Sequence, residues 1–216
     1  MSRTLLEIFN ENTGKGIHKW NFCFPIYERH LAPWKGRPVT LLEIGVQNGG
    51  SMEMWKEYLG PDSRIIGLDL VEGCAQFDDP ARNMHVRIGH GADAEFLDQI
   101  ITEFGPIDIV IDDGSHNTDH IQKSFEFLYP KITANGVYLI EDIGGNRERK
   151  PLSDCNKICL DSIRSTINNT PTVGVCLHDA VIVCERGEVD WVSRNTGTIG
   201  AIVPIYPEYA TPYVKP

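Results

Sequence analysis

The sequence has no excess of basic charge: 20 Lys and Arg stand against 30 Asp and Glu, a formal net charge of -10. A chain this acidic is poorly suited to nonspecific contact with nucleic acid or an anionic membrane. It has no apolar run near the roughly 20 residues that a membrane span needs. Its opening stretch, MSRTLLEIFNENTGKG, lacks the long apolar segment and cleavage site of a secretion signal. These absences lead to the expectation of a cytoplasmic protein that binds neither nucleic acid nor membrane. The six cysteines (Cys23, Cys74, Cys155, Cys159, Cys176, Cys184) form no CxxC pair and no zinc-finger spacing. They read as reduced thiols in or near the core, although Cys155 and Cys159, four apart, could share a helix face. G-x-G-x-x-G and Walker patterns are missing too, so a pyrophosphate loop is less expected than a site for a smaller zwitterionic nucleoside.

The chain's 216 residues suffice for one substantial core. One domain is expected, with a helical N-terminal cap over 1–38, a cofactor-binding core over 39–186 and an arm over 187–216. Apolar strand-like runs alternate with helical spacing through the middle. Strands are predicted at Val39–Ile44, Arg64–Leu70, Met84–Gly89, Ile107–Asp112 and Gly136–Asp142. Helices are predicted at Ser51–Gly60, Ala94–Phe104 and His120–Tyr129. Continuous apolar strands separated by helices imply a parallel sheet covered on both faces. Thr172–Leu177 and Ala180–Glu185 are joined by only two residues, too few for a crossover, so they are expected as an antiparallel hairpin. The tail IVPIYPEYATPYVKP is too rich in Pro for a long helix. It reads as an extended arm packed on a neighbour or on the acceptor site, which leaves room for a homo-oligomer.

The first strand runs into Glu43-Ile44-Gly45-Val46-Gln47-Asn48-Gly49-Gly50-Ser51, a glycine turn that lets backbone approach a ligand. The second ends in Asp69, placed to accept hydrogen bonds from ribose hydroxyls. Candidate cofactor contacts are thus Glu43, Gly45, Asn48 and Ser51 in the turn, then Asp69, then Asp93 after the third strand and Asp112 at the end of the fourth. The terminal hairpin favours S-adenosylmethionine over NAD.

The fourth strand ends in Asp112-Asp113-Gly114-Ser115-His116 and the fifth in Glu141-Asp142. Neighbouring parallel strands bring these ends to one rim, where unpaired like charges are costly. A hard divalent cation, Mg²⁺ or Mn²⁺, resolves the conflict. A metal lowers the pKa of a bound oxygen, and His116 is the natural base to take a hydroxyl proton, with His120 the second choice.

The strings LLEIGVQNGGSMEMWKEYLGPDSRIIGLDL, DIVIDDGSH and GVYLIED resemble the metal-dependent macrocin and mycinamicin sugar O-methyltransferases, from about Asn12 to Glu185. Asn12-Thr13-Gly14-Lys15-Gly16 with His18 and Tyr27 resembles that family's N-terminal signature. The resemblance implies a Rossmann-like fold with a mostly parallel seven-stranded sheet, S-adenosylmethionine as cofactor, and Mg²⁺ held by Asp113, Glu141 and Asp142. It implies His116 as base, assisted by Asp113, and Thr13 and Lys15 near the cofactor. The expected reaction is methylation of a hydroxyl on a sugar or glycosylated small molecule, such as an antibiotic sugar, a nucleotide sugar or a polysaccharide precursor. Alternatives are the same chemistry on a catechol or phenol, and a nucleoside-binding module without turnover.

Three features depart from the family. Gly89-His90-Gly91-Ala92-Asp93 stands where an Asp-Gln pair is usual. The usual aromatic acceptor loop is replaced by Ile143-Gly144-Gly145-Asn146-Arg147-Glu148-Arg149-Lys150, and there is no counterpart to the large N-terminal extension of some relatives. Arg147, Arg149 and Lys150 raise the idea of an anionic acceptor; a solvated loop is the plainer reading.

Overall fold

The computed structural model describes residues 3–143, 163–178 and 180–187. The Arg147/Arg149/Lys150 cluster, Cys155, Cys159 and positions 188–216 of the expected arm lie outside the described residues.

Short runs rich in Ile, Leu and Val form the central strands. These are β1 (Thr40–Ile44), β2 (Arg64–Asp69), β3 (Met84–Ile88), β4 (Ile109–Asp112) and β5 (Val137–Ile140). Every residue of β4 and β5 is buried, as a strand covered on both faces requires. The chain then turns back through β6 (Thr172–Leu177) and β7 (Ile182–Arg186). The sheet order is β3-β2-β1-β4-β5-β7-β6. β1 to β5 pair in parallel and β7 runs antiparallel to both β5 and β6, the expected hairpin. β6 lies at the edge and alternates, with Val173, Val175 and Leu177 exposed.

On one face, α1 (Leu5–Asn10), α2 (Cys23–Leu31) and α3 (Gly50–Leu59) bury Leu5, Phe24, Tyr27, Met52 and Trp55 against Leu41, Ile65, Ile109 and Leu139. On the other, α4 (Ala94–Phe104) and α5 (Thr118–Leu128) bury Leu97, Ile100, Ile121 and Phe125 against Leu42, Ile66, Val110 and Tyr138. Trp55 sits edge-on to Tyr27, their ring centres 5.1 Å apart, a favoured aromatic geometry. The N-terminal helices join α3 in the core on this face. α5 begins two residues before the predicted His120 because the Asn117 side chain accepts from the Asp119 N–H and caps it there. No helix among the described residues is long and apolar enough to cross a membrane.

Candidate active site

Strand register sets the rim. Ile44 pairs with Leu68 on one side and Asp112 on the other, and Asp112 pairs with Ile140. The next residue in each strand is Gly45, Asp69, Asp113 or Glu141, so these four leave the sheet side by side. The chain reverses its direction of travel across the sheet between β1 and β4, and open α/β sheets bind ligands at that switch point. A cleft of about 560 Å³ lies there, walled by Gly45, Asp69, Asp113, His116 and Asp142 and by the 16–20 segment. A smaller space of about 260 Å³ shares Gly45, Asp69 and Gly114 with it and extends to His90, Ala92 and His120.

Gly45 has φ +102°, and a Cβ there would lie 2.3 Å from the Asp113 carbonyl oxygen. Only glycine lets the β1 and β4 turns close together. A Cβ at Gly50 would meet the Gly16 carbonyl oxygen at 2.3 Å. That glycine admits the N-terminal segment across the start of α3.

Asp69 accepts three backbone hydrogen bonds, from Val46 and Gln47 on one oxygen and Val71 on the other, at 2.9, 3.0 and 2.9 Å. Burial works to raise its pKa, but these N–H groups outweigh it and hold the carboxyl below its ordinary value. Val46 and Gln47 fill both lone-pair sites of Oδ2, and Oδ1, which takes only Val71, keeps one for a ligand hydroxyl.

The β4–β5 side is built from side chains. His116 Nε2 lies 3.1 Å from Asp113 Oδ1 and 3.9 Å from Asp142 Oδ2. Ligand atoms of Asp113, His116 and Asp142 all fall within 4.8 Å of one another, an arrangement that could hold a metal ion. His116 and Asp142 both have left-handed backbones, φ +54° and +52°. Such strain in residues other than glycine clusters where side chains must be aimed. The hydrogen bond with Asp113 pushes the His116 pKa up, against burial. Burial pushes Glu141 up to about 7, with Lys19 opposing it. Asp113 stays below the ordinary carboxylate range: burial would raise it, and the bonds to His116 and Lys19 prevail.

Residues 42–143 match the model of a methyltransferase domain. Mycinamicin VI 2''-O-methyltransferase of Micromonospora griseorubida is 33% identical over 79% of this chain and 51% of its own length. A tetracenomycin-C 3'-O-methyltransferase of Streptomyces olivaceus is 39% identical over 57% of this chain and 33% of its own. The crystal structure of MycE, a methyltransferase of the mycinamycin pathway in complex with Mg, SAH and mycinamycin VI, superposes with a TM-score of 0.71. It is 31% identical and covers 87% of this chain and 56% of MycE. Residues 42–143 are thus similar to a methyltransferase domain, and the chain resembles methyltransferases of the macrocin and mycinamicin type. It spans about half the length, or less, of the curated relatives it matches.

The predicted residues fall into two groups. Gly45, Ser51, Asp69, Asp113, His116, Glu141 and Asp142 line the main cleft, and Asp112 lines the smaller space. The others lie elsewhere. Glu43 is fully buried below the cleft, accepting from Ser51 Oγ at 2.8 Å and Trp55 Nε1 at 2.9 Å; it braces β1 against α3. Asp93 accepts from the Glu95 and Phe96 N–H groups. It caps α4 and lines neither space; Gly89 to Ala92 line the smaller one instead. Thr13 and Asn48 are exposed and line neither space. Lys15 pairs with Glu53 at 2.8 Å on the surface. Its segment does reach the cleft, but through Gly16 to Trp20.

His120, the second candidate base, bonds Ser115 Oγ at 2.8 Å and stacks edge-on against His90. It belongs to the smaller space and lies apart from the Asp113–Asp142 pair. Lys19 was missed: a buried ammonium 2.6 Å from Asp113 Oδ2 and 3.0 Å from Glu141 Oε2. The one available hint was the surplus of acids at the strand ends, which called for a counterion from somewhere.

Proposed function

We propose that this protein transfers a methyl group from S-adenosylmethionine to a hydroxyl of a sugar on a glycosylated small molecule, assisted by a divalent cation. The observation that carries the reading is the convergence of Asp113, His116 and Asp142 within 4.8 Å beside a cleft walled by Gly45 and Asp69. The relatives' names support it: one acts on mycinamicin VI, another on a tetracenomycin-C sugar, and MycE was crystallised with Mg and SAH.

In this reading the nucleoside lies along the β1–β2 ends. A ribose hydroxyl donates to the lone pair left on Asp69 Oδ1, and the Gly45 backbone permits close approach. The smaller space with His90 and Ala92 takes the base. Asp113, Glu141 and Asp142 would hold Mg²⁺, which would supply Lewis acidity toward the acceptor hydroxyl. His116 removes the acceptor proton at Nδ1, its Nε2 being held by Asp113, a contribution of roughly 10²–10⁴-fold. Asp113 orients the ring and stabilises the imidazolium that forms. The attacking oxygen displaces a neutral thioether from the sulfonium, so the remaining demand is alignment.

The test is incubation of the protein with S-adenosylmethionine, Mg²⁺ and a panel of glycosylated macrolides, nucleotide sugars and catechols, read by mass spectrometry. The expected result is one added methyl on a sugar hydroxyl, abolished by EDTA and restored by Mg²⁺. Transfer that is indifferent to EDTA, or confined to phenols, contradicts the proposal.

A further inference from the structure

Lys19 places a cation where the site is proposed to take a metal. Its side chain is 2% exposed. The ammonium lies 2.6 Å from Asp113 Oδ2, 3.1 and 3.0 Å from the two oxygens of Glu141, and 3.9 Å from Glu43 Oε1. The rings of Tyr27 and Trp55 stand 6.0 and 5.8 Å from it. An ammonium has three protons to donate, and Asp113 and Glu141 receive them.

Two of the three carboxylates assigned to Mg²⁺ thus already share a counterion, while Asp142 faces His116. Both Glu141 oxygens are turned to Nζ. The donor atoms that converge are accordingly those of Asp113, His116 and Asp142, without Glu141. A divalent ion that recruits Glu141 and Asp113 together must take them from Lys19. Two cations held a few ångströms apart in a site this buried repel strongly, so Nζ has to withdraw.

We propose that Lys19 is a tethered counter-cation that competes with the divalent ion for Asp113 and Glu141. It neutralises the acids while the ion is away and yields them when the ion arrives. The inference rests on the metal-assisted reading above. It has a structural corollary. Lys19 sits in the 16–20 segment that walls the cleft, between His18 and the 55% exposed Trp20. Ion binding therefore moves the wall of the cleft, and metal occupancy is coupled to its shape.

The test is calorimetric titration of Mg²⁺ into the whole protein saturated with S-adenosylhomocysteine, for wild type and Lys19→Met. The variant is expected to bind Mg²⁺ at least tenfold more tightly. Equal or weaker affinity overturns the role given to Lys19. Failure of the wild type itself to bind Mg²⁺ overturns the metal reading and this inference with it. Lys19→Met leaves the buried carboxylates Glu43 and Glu141 without their counter-cation and can fail to fold. A wild-type measurement covers that case. Trp20 is next to Lys19 in sequence and Trp55 beside it in space, so tryptophan emission should change during the Mg²⁺ titration, with the calorimetric midpoint. Emission that stays flat while calorimetry records saturation overturns the proposal.

Discussion

On the β1–β2 side of the rim, Asp69 is held by three backbone N–H groups, two of them from the turn that follows β1. On the β4–β5 side, Glu141 and Asp113 are held by one ammonium, 122 and 94 positions away in the chain. The first acid is ionised easily, its pKa held low by the local fold. The second pair divides: Asp113 is held low, while Glu141 is pushed up to about 7 by burial. The lesson is that a nucleoside side can be built from backbone alone and stand ready. A metal side made of buried carboxylates needs a cation at all times, whether supplied by the chain or from outside.

The largest expected effect separates the two sides. Asp113→Ala should abolish Mg²⁺-dependent methyl transfer while leaving S-adenosylhomocysteine affinity nearly unchanged, as read by turnover and calorimetry side by side. Comparable loss of both would merge the two sides into one. Asp69→Asn makes the converse cut. It removes negative charge and an acceptor from the nucleoside side, and cofactor binding should weaken by roughly tenfold or more with Mg²⁺ affinity retained. Retained cofactor affinity would move the ribose site elsewhere.

A third measurement concerns Asp112, which sits between the sides. It is buried and accepts from Ser124 Oγ and Tyr138 OH. Burial pushes its pKa up to about 6, with those two hydroxyls opposing the shift. The folded value is above the unfolded one near 3.8, so the folded state binds the proton more tightly. Asp112 therefore destabilises the fold progressively as pH rises from about 4 to 6, by up to the order of 3 kcal/mol. Asp112→Asn lacks this titration. Its denaturant stability relative to wild type should climb between pH 4 and 7 and then level off. A constant difference across that range would contradict the assignment. The smallest effect is expected at Asp93. Asp93→Ala should lower stability by about 1 kcal/mol through the lost cap of α4 and leave cofactor affinity untouched; a drop in that affinity would return Asp93 to the site.

The strand-end rim was legible because it depends on local signals. Apolar runs locate the strands, their parallel register aligns the residues that follow, and Gly45, Asp69, Asp113, His116, Glu141 and Asp142 fall out together. The edge hairpin was legible from a gap too short for a crossover. Asp93 was ambiguous for a physical reason: a carboxylate before a helix is equally suited to capping it and to meeting a ligand, and only the direction of the side chain decides. Glu43 looked like part of a ligand turn, but its side chain is buried beneath the cleft floor, taken up by Ser51 and Trp55. Thr13 and Lys15 were one short step from the cleft in sequence, yet the segment enters it only from Gly16. Lys19 was not legible at all, because its meaning arises from contacts with residues about a hundred positions away.

The most direct test of the account is a crystal structure with S-adenosylhomocysteine and Mn²⁺, using the anomalous signal to locate the ion. The account predicts a peak ligated by Asp113 and Asp142, with Glu141 turned toward it, Lys19 drawn away, and the ribose on Asp69. A peak remote from these carboxylates, or none at a Mn²⁺ concentration that supports methyl transfer, would contradict it.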